Sequence, residues 1–264
     1  MNTYFIFDID GVITDPMLKI PNPYIISFIA NQLNNKHYVA LETGRSLMWI
    51  GERILKLIQS QLEDINNLDY LFISCEKGSV TAIFVNGLIK TNVDTSVSIP
   101  QDIQDKIKQQ IAGKKEIFFD PDKQTMVSVE IIGGTDPKQL EGQKEALSQF
   151  EIWVNENILP ASPQLKIDKT PISVDIQYKE ISKKTASKKF LEFLQNKNIT
   201  NASFIAFGDT LPDIDIAEVI YENKFPITFV YVGETPLERQ YPFQTISIKT
   251  NTYDKAVEEY LKTI

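Results

Sequence analysis

Tyr4-Phe5-Ile6-Phe7 is an unbroken apolar run that meets two carboxylates, Asp8 and Asp10, with only Ile9 between them. Bounded by Gly11 and by Thr14-Asp15-Pro16, such a run predicts a buried parallel strand. Residues two apart on a strand point the same way. A continued pleat would therefore put both carboxylates on one face, whereas a chain leaving the sheet at Asp10 would set them around a common centre. Either way the pair is costly unless a cation or a proton neutralises it. Solvated acids at a strand end are one reading. The other is a metal-assisted site at the carboxyl end of a first strand, the edge where open α/β sheets bind ligands.

Charge and residue usage narrow the chemistry. A net charge of −8 over 264 residues argues against a nucleic-acid backbone or an anionic membrane as the main partner, since both need a basic surface. Cys75 and His37 are the only residues of their kinds, which excludes an intramolecular disulfide, a cysteine-based zinc site and a histidine cluster. Both read as structural, and carboxylate chemistry with a hard cation is what remains. No apolar run approaches the length of a membrane span, and the first residues show no basic region followed by an apolar stretch, so the expected location is the cytoplasm. Nothing in the pattern speaks to oligomeric state.

The rhythm along the chain is that of a doubly wound sheet with an interruption. Asn22-Pro23 starts a helix over 24–34, residues 37–42 form a second strand, and Thr43-Gly44-Arg45-Ser46 leads into a helix with Leu47, Ile50, Ile54, Leu57 and Ile58 at helical spacing. A third strand over 69–74 completes a β-α-β-α-β series. From about Lys77 the pattern turns to short strands at 80–85, 125–132 and 172–177 with hairpin signals such as Asn86-Gly87, and to helices over 101–111 and 137–150. The α/β rhythm resumes with a helix over 185–196, a strand over 203–207, a helix from Pro212, strands over 227–232 and 245–248, and a last helix over 254–262. The fold class is thus α/β, a Rossmann-like doubly wound parallel-sheet core (1–76 and 179–264) with an inserted α+β segment at 77–178.

Four groups of residues stand at predicted strand ends or helix starts. Asp8 and Asp10 are the first. Thr43, on a glycine-containing turn at a helix N-terminus, is placed either to cap the helix or to help hold an anion. Lys183-Lys184 opens the helix after the insert, where a solvated face is the simplest account. Asp209 and Asp213, in Phe207-Gly208-Asp209-Thr210-Leu211-Pro212-Asp213, either cap the helix that Pro212 starts or add two carboxylates to a site.

In order and context these groups resemble the four motifs of the haloacid dehalogenase-like hydrolases: Asp8-x-Asp10-Gly11-Val12, Thr43-Gly44-Arg45, Lys183, and Gly208-Asp209-x-x-x-Asp213. The resemblance covers the whole chain. The place of the insert is similar to the large α/β cap of the subgroup that includes Cof-type sugar phosphatases and sucrose- and trehalose-phosphate phosphatases. It implies a phosphatase for a small phosphate ester, such as a sugar phosphate, with Mg2+ as cofactor. Asp8 is then the nucleophile and Asp10 the acid and base. Thr43 and Lys183 neutralise the phosphoryl group, and Gly11, Gly44, Arg45 and Lys184 lie on the substrate side. The resemblance places the metal on Asp8, the Asp10 carbonyl and Asp209, with Asp213 close by. Two positions depart from the pattern: Pro212 stands where such proteins commonly carry Asn, and Lys184 where Gly is usual. A phosphomutase or phosphotransferase, and a non-catalytic binding module, are the alternatives. Glu130, Asp175 and Lys123 are the charged candidates within the insert for choosing a substrate.

Overall fold

The computed structural model describes residues 2–134, 136–235, 237 and 239–264. Its first strand, β1 (Asn2–Phe7), becomes buried after its first two residues because Tyr4 to Phe7 are apolar on both faces, as suits a central parallel strand. The chain then forms helix α1 (Pro23–Asn34), strand β2 (Val39–Glu42), the short helices α2 (Leu47–Ile50) and α3 (Lys56–Gln59), and strands β3 (Leu71–Cys75), β4 (Val80–Val85) and β5 (Leu88–Val93). Next come α4 (Gln101–Ile111), β6 (Ile117–Phe119), β7 (Val127–Ile131), α5 (Pro137–Asn157), β8 (Leu165–Lys169) and β9 (Ser173–Tyr178). The series ends with α6 (Lys183–Asn196), β10 (Ala202–Gly208), α7 (Ile214–Glu222), β11 (Ile227–Tyr231), β12 (Gln244–Ser247) and α8 (Tyr253–Leu261).

The large sheet has the order β12-β11-β10-β1-β2-β3-β4-β5. Its strands from β12 to β3 are parallel, and β4 returns antiparallel to β3. β1 lies between β2 and β10, so the crevice at the carboxyl ends of β1 and β10 is where the winding reverses. Aromatic side chains fill the layer beneath: Tyr4, Tyr38, Phe72, Phe190, Phe193 and Phe204 share one core with the apolar face of α7. The second sheet, β6-β7-β9-β8, is antiparallel throughout, and α4 and α5 supply Ile103, Ile107, Ile111, Leu147, Phe150 and Val154 to its own core. The chain divides into two compact units, one running to Asn92 and resuming at Ser182, the other covering Val93–Ile181.

Three local features differ from the sequence reading. Strand β4, expected within the insert, pairs with β3 in the large sheet, and a two-residue turn with positive φ at Asn86 and Gly87 joins it to β5. That turn twists with the strands it joins. The regular helix expected across 47–58 is broken by a π-helical turn over Gly51–Leu55. The wider turn changes the phase of the apolar stripe, so Leu55 is buried and Leu57, assigned inward from its spacing, is 42% exposed. Finally, α5 continues to Asn157, and β5, β6 and β8 are strands that the sequence pattern left unassigned. β5 carries almost no buried side chain, and β6 is only 3 residues long, so neither gave a period to read.

Candidate active site

Backbone geometry places the first two carboxylates. The Asp8 amide extends the β1 ladder by one bond, donating to the Phe207 carbonyl of β10 at 3.2 Å. Beyond it the chain coils tightly, with the Ile13 and Thr14 amides both bonded to the Ile9 carbonyl at 2.9 and 3.0 Å. Asp8 and Asp10 are thereby parted. Gly11 adopts φ +77°, and a Cβ there would stand 2.4 Å from Asp209 Oδ2. Only glycine lets these two strand ends approach so closely.

Lys183, the first residue of α6, joins the strand ends. Its ammonium donates to Asp8 Oδ1 and to the Glu42 carbonyl at 2.8 Å, and it lies 3.1 Å from Asp213 Oδ1. Asp213 is fixed in turn by the Thr210 amide and hydroxyl, which donate to its Oδ2 at 2.9 and 2.7 Å. Pro212 occupies the start of that turn, where no amide donor is needed, so its missing N–H leaves nothing unpaired. Asp209, next to Gly208, completes the group. Asp8, Asp209 and Asp213 each offer an oxygen within 4.8 Å of the others. Three converging carboxylates with no nitrogen or sulfur donor fit a small hard cation.

Electrostatics bear out the mutual crowding of these acids. Burial pushes Asp8 up to about 7, with Lys183 pulling it down and Asp213 pushing it further up. Asp209 rises to about 8 through burial and the neighbouring charges of Asp8 and Asp213. Burial alone would lower Lys183, but the Asp213 and Asp8 carboxylates outweigh it and hold the ammonium charged. With all three carboxylates ionised, one lysine leaves a net negative centre, which a divalent cation relieves.

Asp10 belongs to a second cluster. Arg45 grips it with two bonds, Nε to Oδ2 at 2.9 Å and Nη2 to Oδ1 at 3.1 Å, and Lys19 Nζ lies 3.0 Å from Oδ1. Burial opposes its ionisation, but Arg45 and Lys19 prevail and lower it to about 2. Thr43 sits where β2 ends, and its hydroxyl accepts the Arg45 amide at 3.0 Å. The turn is braced from β3: the Thr43 amide donates to Ser74, the Lys77 amide to Thr43, and the Glu76 amide to Arg45, at 2.9, 2.9 and 3.1 Å. Glu76 and Lys77 make this brace in left-handed conformations, at φ 48° and 55°.

Of the residues expected from sequence, Asp8, Lys183, Asp209 and Asp213 meet in one cluster, and Asp10 with Arg45 in the second. Gly11 touches Asp209, and Gly44 lies in the Thr43 turn beneath Lys77. Lys184 does not join them. Its ammonium lies 2.8 Å from Glu218 and 3.6 Å from Asp215 on α7. Within the insert, Asp175 is buried and accepts the Ser128 hydroxyl at 2.6 Å across β7 and β9, a structural bond. Sequence reasoning missed Lys19, which sits in a run with no period, and Glu42, which reads as the polar end of a strand yet is fully buried.

No protein-family model matches the sequence, and neither does any curated protein. Among solved structures the chain is similar to the C-terminal domain of C. albicans trehalose-6-phosphate phosphatase, with a TM-score of 0.65 and 16% identity over 99% of this chain and 91% of that one. It is also similar to the sucrose-phosphatase of Synechocystis, solved with sucrose and phosphate, with a TM-score of 0.55 and 15% identity over 100% and 98%. A third is the Plasmodium falciparum IMP-nucleotidase, with a TM-score of 0.52 and 10% identity over 99% and 68%. At these identities the likeness is one of fold.

Proposed function

We propose that the protein is a Mg2+-dependent phosphatase that hydrolyses a small phosphomonoester, a sugar phosphate being the favoured class, through an aspartyl-phosphate. The observation that carries the reading is the convergence on Lys183: one ammonium holds Asp8 and Asp213 together beside Asp209, at the switch point of a parallel sheet. The fold shared with two sugar-phosphate phosphatases supports the substrate class, and the insert is read as the cap of that architecture.

Asp8 attacks phosphorus, and the phosphoryl group passes from the ester oxygen to its carboxylate. This divides one difficult displacement into two easier ones. Lys183 and the Thr43 hydroxyl meet the charge on the phosphoryl oxygens, the main contribution a protein makes to such transfers. Asp10 protonates the departing alcohol and afterwards takes a proton from the attacking water. In the free protein Arg45 and Lys19 keep Asp10 ionised, so both cations turn to the incoming anion before Asp10 can hold the proton it gives. Asp8, Asp209 and Asp213 would hold Mg2+, which when bound neutralises charge on the transferring phosphoryl group.

Phosphate release should be measured from a panel of sugar and other small phosphomonoesters, with and without Mg2+, in wild type and Asp8→Asn. The expected result is Mg2+-dependent release that falls about a thousand-fold or more in the mutant. Release that survives Asp8→Asn would remove Asp8 from the chemistry. A folded wild type that releases phosphate from no ester would overturn the phosphatase reading.

A further inference from the structure

Glu42, the last residue of β2, has no exposed surface and takes no part in the reaction above. Its carboxyl Oε2 accepts the Ser187 hydroxyl at 2.8 Å, while Oε1 has no hydrogen-bond partner among the described residues. The Ser74 hydroxyl is likewise buried and unpartnered, and Ser74 is the register partner of Glu42 across β2 and β3. Side chains of register partners on parallel strands lie on one face about 5 Å apart, but no hydrogen bond joins these two. On the other side Ser187 lies one turn along α6 from Lys183, whose carbonyl also takes the Ser187 hydroxyl at 3.2 Å. The main chain of Glu42 meets Lys183 as well, because its carbonyl accepts the ammonium at 2.8 Å.

We propose that Glu42 is a positioning residue for Lys183, its carboxyl tying the end of β2 to the start of α6 through Ser187. A neutral carboxyl accepts the Ser187 hydroxyl as a carboxylate does and leaves no buried charge unpaired. Burial favours the same form. A lysine side chain has four rotatable bonds, and holding its nitrogen on Asp8 requires that its main-chain acceptor, the Glu42 carbonyl, stay in place. The side-chain tie fixes that carbonyl. A neutral Glu42 also leaves Lys183 to Asp8 and Asp213, whereas an ionised one would compete for it.

The inference rests on the proposed phosphatase reading for its kinetic consequence, but the position of Lys183 can be read without turnover. Crystal structures, melting temperatures and steady-state kinetics would be compared for wild type, Glu42→Gln, Glu42→Ala and Ser187→Ala. Glu42→Gln keeps a neutral donor and acceptor and is expected to leave Lys183 on Asp8 with kcat within about three-fold of wild type, whereas Glu42→Ala and Ser187→Ala move the ammonium by about 1 Å and lower kcat about ten-fold or more at little change in KM. Ser187→Ala removes a single oxygen and keeps the test open if Glu42→Ala fails to fold. Lys183 unmoved and kcat intact in folded Ser187→Ala would overturn the proposal. So would a loss in Glu42→Gln equal to that in Glu42→Ala, since the negative charge rather than the tie would then matter. If wild type releases no phosphate yet Lys183 shifts in Ser187→Ala, the phosphatase reading fails and the positioning role stands.

Discussion

The Asp10 carboxylate faces two cations, with Arg45 bidentate on it and Lys19 on its Oδ1 at 3.0 Å. Its folded value of about 2 lies below the ordinary 3.8, so the fold binds this proton less tightly than the unfolded chain does. The ionised pair therefore contributes stability above the unfolded value that is lost as pH falls through the folded one. In urea unfolding, wild type should lose more stability than Arg45→Met between about pH 5 and about pH 3. Equal losses would mean that the cations add nothing. Gly11 offers a second test, because an added Cβ meets Asp209 Oδ2 at 2.4 Å on a backbone already at φ +77°. Gly11→Ala is expected to cost about 2 kcal/mol of stability and to weaken divalent-cation binding, measured by melting and by calorimetric titration. Unchanged cation affinity would separate the glycine from the carboxylate cluster. These residues were legible because carboxylates against an apolar strand contradict a simple core. Lys19 and Glu42 were not, since a lone lysine in a loop and a glutamate at a strand end each have an ordinary explanation.

Helix ends show how a correct period can coexist with unread geometry. α1, α6 and α7 all stop in the same way: after each, a residue at positive φ, Lys36, Asn198 or Lys224, donates its amide back to the helix, and the next residue reaches the carbonyl five positions before it. This is a Schellman ending, for which glycine is the favoured residue. Without glycine there, the sequence carried no stop signal, and helix limits had to be inferred from the loss of apolar spacing. Lys36→Gly and Lys224→Gly should each raise stability by about 1 kcal/mol in denaturant unfolding, because the left-handed conformation costs a lysine more than a glycine. A loss of stability in both would show that the lysine side chains contribute contacts that outweigh the strain. The same limit explains β4 and the turn over Gly51–Leu55. A short strand does not reveal which sheet it pairs with, and a π turn alters the phase of a stripe that otherwise reads as one helix.

At the scale of the whole molecule the site carboxylates work against the fold. Asp8, Glu42 and Asp209 titrate at about 7, about 8 and about 8, each above its ordinary value, chiefly through burial. The folded protein thus binds these protons more tightly than the unfolded chain, and their contribution is greatest below the unfolded values and declines as pH rises through the folded ones. Asp10 acts in the opposite sense at lower pH. Together the two trends place the greatest stability of the metal-free protein between about pH 3 and about pH 4, with a decline toward about pH 8. A divalent cation at Asp8, Asp209 and Asp213 should reverse much of that decline, since binding to the folded state alone adds about 2.7 kcal/mol at a hundred times the dissociation constant. Melting curves in chelator and in Mg2+ across this range test both parts. Wild type in chelator should melt lower at the alkaline end, Mg2+ should recover it, and Asp209→Asn should be more stable than wild type in chelator but gain little from Mg2+. A melting temperature that ignores both pH and Mg2+ would mean that the three carboxylates are not a cation site, and the proposed reaction would lose its cofactor.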